Sequence, residues 1–224
     1  MDHSITINQE MTSKHSNLII CGTDTDIGKT FISALFVQGL KAFYWKPIQS
    51  GTSEGSDTSY IQQLLNIKRN RCLPEAYKFK APVSPHWAAE KEGQSINLAN
   101  LKVPNPSGPL IIETAGGLMV PLNRKILQID QLKIWGFPVL LVAKSGLGTL
   151  NHTLLSIEAL KKRNIPIKGI VLNGETHEDN PKTLMEFGKV PVLAQIPKLK
   201  EINAAILAQQ WEQQSLDQAF SDFH

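Results

Sequence analysis

The chain is poor in cysteine, in aromatic residues and in charge of either sign. Two cysteines, Cys21 and Cys72, stand among 224 residues; they cannot build a disulfide framework, and no Cys or His pair has the spacing of a zinc site. Aromatic residues make up 7% of the chain, and the basic clusters Lys68-Arg69 and Lys161-Lys162-Arg163 are not interleaved with them, as a groove for single strands would require. Such clusters read as solvated helix ends, where cations complement the helix dipole. A formal net charge of +3 gives nucleic acid no strong footprint. The most apolar run, Pro138 to Ala143, is far too short to cross a bilayer, and residues 1–16 carry neither a signal-peptide core nor a basic amphipathic pattern. A cytoplasmic protein is expected, with a polar tail over residues 1–16 and a single domain over 17–224.

Short apolar runs recur, and most precede helical periodicity. "LIICG" (18–22) leads into a helix with Ile32, Leu35, Phe36 and Leu40 on one face, and "AFYWK" (42–46) precedes an expected helix from Asp57 to about Leu65. "PLIIE" (109–113) and "PVLLVA" (138–143) follow, the second leading into a helix near Asn151 to Arg163. "IKGIVLN" (167–173) and "PVLAQIP" (191–197) complete the series. Strands that are apolar throughout and separated by helices predict an α/β three-layer sandwich around a mostly parallel sheet. Arg71 to Pro109, rich in proline and without a clear strand, is expected to form an excursion over one rim. Ligands of such sheets bind beyond the carboxyl ends of the strands.

At the first of those ends, "CGTDTDIGKT" joins strand to helix through a turn closing in Gly28-Lys29-Thr30. This is the layout of a P-loop, in which backbone N–H groups and the helix N-terminus face phosphate oxygens, Lys29 reaches the outer phosphates and the Thr30 hydroxyl can ligate Mg²⁺. The strict spacing puts its first glycine where Thr23 stands, with Gly22 one residue early. Asp24 and Asp26 would oppose a bare triphosphate, so Thr25 and Asp26 are expected to face a cationic or amine-bearing ligand, or a nucleotide offset by Mg²⁺ and Lys29. Partner-switching ATPases of the chromosome-positioning type carry a further lysine five residues before the P-loop lysine; Asp24 is there instead.

Other strand ends add chemistry. Lys46, with Pro47 ending its strand, is placed to stabilise developing negative charge, or simply to sit in solvent. Ser56 or Asp57 is expected to cap the helix that follows, unless Asp57 instead faces the metal. Glu113, after Leu110-Ile111-Ile112, stands where a carboxylate holds Mg²⁺ beside a P-loop, and it is not read as core because an unpaired buried carboxylate costs too much. Asn173 either reads a nucleotide base or begins an Asn-Gly turn; without the guanine-reading Asn-Lys-x-Asp run, adenine is favoured.

Together these stretches resemble the dethiobiotin synthetase family. "GTDTDIGKT" is similar to its lengthened P-loop, "YWKPIQSG" to its Tyr-Lys-Pro segment ending in Ser-Gly, "SPHWAAEKEG" to its Ser-Pro-His stretch, "LGTLNHTLLS" to its Leu-Gly-x-x-Asn-His run and "IPKL" to its base-flanking loop, in order from Leu18 to about Leu199. The resemblance implies a P-loop NTPase-like ligase of biotin biosynthesis that closes a cyclic urea from 7,8-diaminononanoate, CO₂ and ATP, acting as a homodimer with Mg²⁺. Lys29 and Lys46 would be catalytic; Thr30, Asp57 and Glu113 would hold the metal. ATP would be surrounded by Asp26, Ile27, Gly28, Lys29, Thr30 and Phe31, by Asp57, by Glu113, Thr114, Ala115 and Gly116, by Asn173, and by Pro197, Lys198 and Leu199. Thr25 and Ser50 would contact the diamine or its carbamate, and Gly148 and Asn151 would receive the substrate carboxylate from the neighbouring subunit. The family has glycine where Thr114 stands, a position expected to strain a β-branched residue, and Asn-Asp where Asn173-Gly174 stands. A glutamine-dependent ligase is set aside because the chain has no room for a glutaminase domain.

Overall fold

The computed structural model describes residues 16–53 and 55–223; apart from Ser16, the expected polar tail lies outside them. Strand β1 (Asn17–Gly22) opens the chain and is buried almost throughout. Its side chains alternate between two cores, as strand geometry requires: Leu18 and Ile20 join Phe36, Tyr44, Leu207 and Phe220 on one face, while Ile19 and Cys21 join Ile112, Leu132, Leu141 and Leu160 on the other. A sheet loaded on both faces needs helices on both, which makes three layers.

Helix α1 (Lys29–Gly39) follows the loop and buries Ile32, Leu35 and Phe36 as its spacing predicts. Strand β2 (Phe43–Trp45) and strand β3 (Ile48–Ser50) flank Lys46-Pro47, and helix α2 (Asp57–Leu65) starts where expected, capped by Ser56 and Ser59 in a reciprocal box. The excursion is more ordered than its composition suggests. Strand β4 (Cys72–Leu73) pairs with β2, and strand β5 (Tyr77–Phe79) pairs with β3 in a separate two-stranded sheet. Segments of two and three residues are too short to show a period, which is why the sequence hides them. Helix α3 (Pro85–Lys91) completes the excursion over a small core of Ile48, Phe79, Ala88 and Ile96.

Strand β6 (Leu110–Gly117) runs four residues beyond the expected Glu113. Helix α4 (Gln128–Trp135), strand β7 (Val139–Lys144), helix α5 (Thr149–Lys162), strand β8 (Ile167–Asn173), helix α6 (Asn180–Gly188), strand β9 (Val192–Ile196), helix α7 (Ala204–Gln213) and helix α8 (Leu216–Ala219) finish the chain. The main sheet has the order β4-β2-β6-β1-β7-β8-β9, with every pairing parallel. Because β1 sits centrally between β6 and β7, the turn after β1 and the end of β6 open on the same rim. No described helix is long and apolar enough to cross a membrane.

Both cysteines are buried and unpaired, and burial pushes their thiols up, to about 12 for Cys21 and about 11 for Cys72. Since the thiolate is the reactive form, neither should be modified by a disulfide reagent at pH 8 in the native protein. Both are expected to react once the chain is unfolded in urea, as a thiol titration with and without denaturant would read.

Candidate active site

The turn after β1 is shaped by two glycines. Gly28 takes a left-handed conformation at φ 86°, open to glycine at no steric cost, and a Cβ there would lie 2.1 Å from Asn173 Nδ2. That amide donates to Ile27 O at 2.8 Å, so Asn173 buttresses the loop from β8. Gly22 explains the displaced first glycine: a Cβ would come 2.6 Å from Ile27 Cδ1 and 3.0 Å from Lys29 Cδ, so the loop folds back over residue 22 and leaves Thr23 free to carry a side chain. Lys29 Nζ donates to Asp24 O at 2.7 Å. Burial lowers its pKa, an effect that Glu113 partly offsets, so an arriving anion would favour the charged form.

Beside the loop, three remote segments meet. Lys46 Nζ donates to Asp57 Oδ2 at 2.5 Å and to Glu113 Oε1 at 2.9 Å. The Thr30 hydroxyl lies 2.7 Å from Asp57 Oδ1 and 2.9 Å from Glu113 Oε1; its one proton serves one of them at a time. Tyr44 OH donates to Glu113 Oε2 at 3.0 Å. Glu113 is 0% exposed, against the expectation that it is not core, and both of its oxygens are satisfied. A buried carboxylate is tolerated when it is paired and hydrogen-bonded. Burial alone would lower the pKa of Lys46, but Glu113 and Asp57 outweigh it and hold the ammonium charged. Likewise burial would raise Asp57, but the Lys46 ammonium keeps its carboxyl below the ordinary value. Tyr44 is pushed well up by burial and by Glu113, so it remains a phenol and a donor.

Lys29, Thr30, Lys46, Asp57 and Glu113 line a cavity of about 700 Å³. The loop and Pro82, Val83 and Ser84 of the excursion both contribute to its lining. Thr30, Asp57 and Glu113 present only hard oxygen donors, and no described cluster of three or more His, Cys, Asp or Glu forms a protein cage for a metal. Such a donor set suits Mg²⁺ bound partly through substrate phosphates.

Residues 16–205 match a family model described as an AAA domain. The ATP-dependent dethiobiotin synthetase BioD of Agrobacterium fabrum is 44% identical over 195 residues, 87% of this chain and 92% of that protein. The chain belongs to the ATP-dependent dethiobiotin synthetase family. Its counterpart from Rhodopseudomonas palustris strain TIE-1 is 43% identical over 192 residues, 86% of this chain and 91% of that protein. Among solved structures, a ParA family ATPase from Chlorobium tepidum has a TM-score of 0.57 at 13% identity, covering 93% of this chain and 99% of its own. A putative plasmid partition protein of Borrelia burgdorferi bound to AMPPNP has the same score and identity, covering 94% and 99%. At that identity the likeness shows the P-loop α/β fold alone.

Of the residues expected for this family's site, Thr25, Asp26, Gly28, Lys29, Thr30, Lys46, Ser50, Asp57, Glu113, Ala115 and Gly116 line the cavity. Ile27 and Asn173 lie in and behind the loop, while Phe31 packs against the core from α1. Pro197, Lys198 and Leu199 follow β9 outside the cavity lining, and Gly148 and Asn151 are exposed at the start of α5. Thr114 overturns one expectation: its backbone stays outside the left-handed region and it is a buried strand residue, so a β-branched side chain fits without strain there. Tyr44 and Gln49 were missed from sequence. Period-2 alternation would have found Tyr44, two residues before Lys46 and so directed to the same side.

Proposed function

We propose that this chain makes dethiobiotin from 7,8-diaminononanoate, CO₂ and ATP, as the activity for which its relatives are named and the convergence of Lys29, Lys46, Thr30, Asp57 and Glu113 on one cavity support. The convergence of residues far apart in sequence carries the proposal. In this scheme Thr25 and Ser50 hold the diamine, and one amine captures CO₂ as a carbamate. Ser50 Oγ is buried with no hydrogen-bond partner among the described residues, which suits a hydroxyl reserved for a ligand. The carbamate oxygen attacks the γ-phosphorus and ADP leaves; the second amine then attacks the carbonyl carbon and expels phosphate. Lys29 and Lys46 supply fixed positive charge where negative charge gathers on the phosphoryl oxygens and the carbamate. Mg²⁺, when bound, neutralises phosphate charge, and Thr30, Asp57 and Glu113 would hold it. The loop from Asp26 to Phe31, the segment Glu113 to Gly116, Asn173 and the stretch Pro197 to Leu199 surround ATP.

The same proposal makes the protein a cytoplasmic homodimer with one P-loop domain over residues 17–224. Supporting the dimer, a second cavity of about 620 Å³ shares Thr25 and Val120 with the first and is rimmed by Met119 and Leu155, which are 51% and 57% exposed. Gly148 and Asn151 of a partner would add their helix N-terminus to the substrate carboxylate. Leu155→Asp is therefore expected to yield a monomer by sedimentation, with diamine KM raised about tenfold or more and ATP binding retained, since a charge in an apolar contact is costly.

Purified protein given Mg-ATP, bicarbonate and the diamine is expected to release dethiobiotin and ADP in equal amounts, omission of any one abolishing product. ATP hydrolysis indifferent to the diamine and stimulated by a protein would contradict the proposal.

A further inference from the structure

We infer that Gln49 and Glu75 are positioning residues that pin the first turn of α2 and thereby set how tightly Asp57 helps to hold a divalent cation; this rests on Asp57 facing the metal. The apolar anchor of helix α2, Ile61 with the partly buried Leu64 and Leu65, lies in its second half, and no side chain of residues 57–60 is fully buried, so without other ties the first turn would fray readily. Two ties hold that turn, one from strand β3 and one from the connection between β4 and β5.

The first comes from β3. Gln49 is 5% exposed, and its Oε1 accepts the Asp57 backbone N–H at 3.1 Å while its Nε2 donates to Ser50 O at 3.2 Å. The Ser56–Ser59 box satisfies the N–H groups of those two residues. The N–H of Asp57, one of the donors that a helix start leaves without an intrahelical partner, falls to Gln49. The second tie comes from the connection between β4 and β5. Thr58 Oγ1 donates to Glu75 Oε1 at 2.6 Å, and Glu75 Oε2 lies 3.0 Å from Lys78 Nζ. The Glu75 side chain is 2% exposed, and these two partners each engage one of its oxygens. Residues 57 and 58 are thus fixed from two sides, and the Asp57 carboxylate is held where it meets both Thr30 and Lys46. Partners that orient a metal-facing carboxylate in this way control affinity without touching the metal.

The test uses Mn²⁺ as a paramagnetic probe, titrated by EPR against the full-length protein saturated with ADP. Gln49→Leu and Glu75→Leu are expected to weaken Mn²⁺ binding about tenfold, with Glu75→Gln, which keeps an acceptor for Thr58, recovering most of it. Metal-free ADP affinity should stay at the parent value in both Glu75 variants. Asp57→Asn separates the two layers. If it leaves Mn²⁺ binding intact, the assignment of Asp57 fails and the inference with it. If Asp57→Asn weakens binding while Gln49→Leu and Glu75→Leu match the parent, the positioning inference alone is overturned. A Gln49→Leu protein with raised diamine KM and parent Mn²⁺ binding would likewise overturn it, marking Gln49 as a substrate contact. Should Glu75→Leu not fold, Thr58→Val, a near-isosteric loss of the same donor, decides by the same readout.

Discussion

Lys46→Ala is expected to lower the rate of dethiobiotin formation about a thousandfold, the scale seen when one fixed donor to developing negative charge is removed. The same change also unbalances the protein. With the ammonium gone, Glu113, fully buried, keeps Tyr44 and Thr30 but loses its only cationic partner within hydrogen-bond reach among the described residues. Breaking a buried pair in this way costs about 3–5 kcal/mol, readable as a lowered urea midpoint. Rate and stability can be separated: Lys46→Met combined with Glu113→Gln removes both charges, so most of the stability should return while turnover does not. Asp57 adds a pH dependence of known sign. Its carboxyl is held below its ordinary value of 3.8, so the native state binds fewer protons than the unfolded chain as pH falls through that range. Its stabilising contribution is present above 3.8 and is lost below it. Without Lys46, that acid-limb loss should shrink in urea titrations at successive pH values.

Gly28→Ala is the second large effect, and it acts through the backbone. The φ of 86° costs any L-residue about 1–2 kcal/mol, and the new methyl would overlap Asn173 Nδ2 at 2.1 Å. Relief requires that Asn173 give up Ile27 O or that the loop move off its phosphate-facing geometry. Since recognition depends on the loop's N–H groups and helix start, ATP affinity should fall about a hundredfold, with only a modest change in melting temperature. Asn173→Ala in the same background makes room for the methyl and should restore part of the affinity. No recovery would mean that the φ restriction alone accounts for the loss.

The layers and the site's main members are legible in the sequence because they depend on local pattern. Apolar strands such as Leu18 to Cys21 and Val139 to Ala143 announce a doubly covered sheet, and Gly28-Lys29-Thr30 can be read from spacing. What stays hidden depends on tertiary pairing. Strands of two or three residues, Cys72–Leu73 and Tyr77–Phe79, are strands because β2 and β3 lie alongside them. Glu113 reads as too costly to bury until Tyr44 and Lys46 supply partners across 69 and 67 positions of chain. Thr114 shows the opposite error: a motif comparison predicts strain that the strand geometry does not impose. Gln49 and Glu75 look like ordinary polar residues in sequence, and only the start of α2 gives them a task.

The most direct test of the central claim is a single turnover with ¹⁸O-labelled CO₂, the diamine and Mg-ATP, read by mass spectrometry of the released phosphate. Phosphoryl transfer to a carbamate oxygen predicts phosphate carrying one ¹⁸O, formed together with dethiobiotin labelled in its ureido oxygen. Unlabelled phosphate accompanying labelled dethiobiotin would show that the γ-phosphoryl group never reached the carbamate, and would contradict the account.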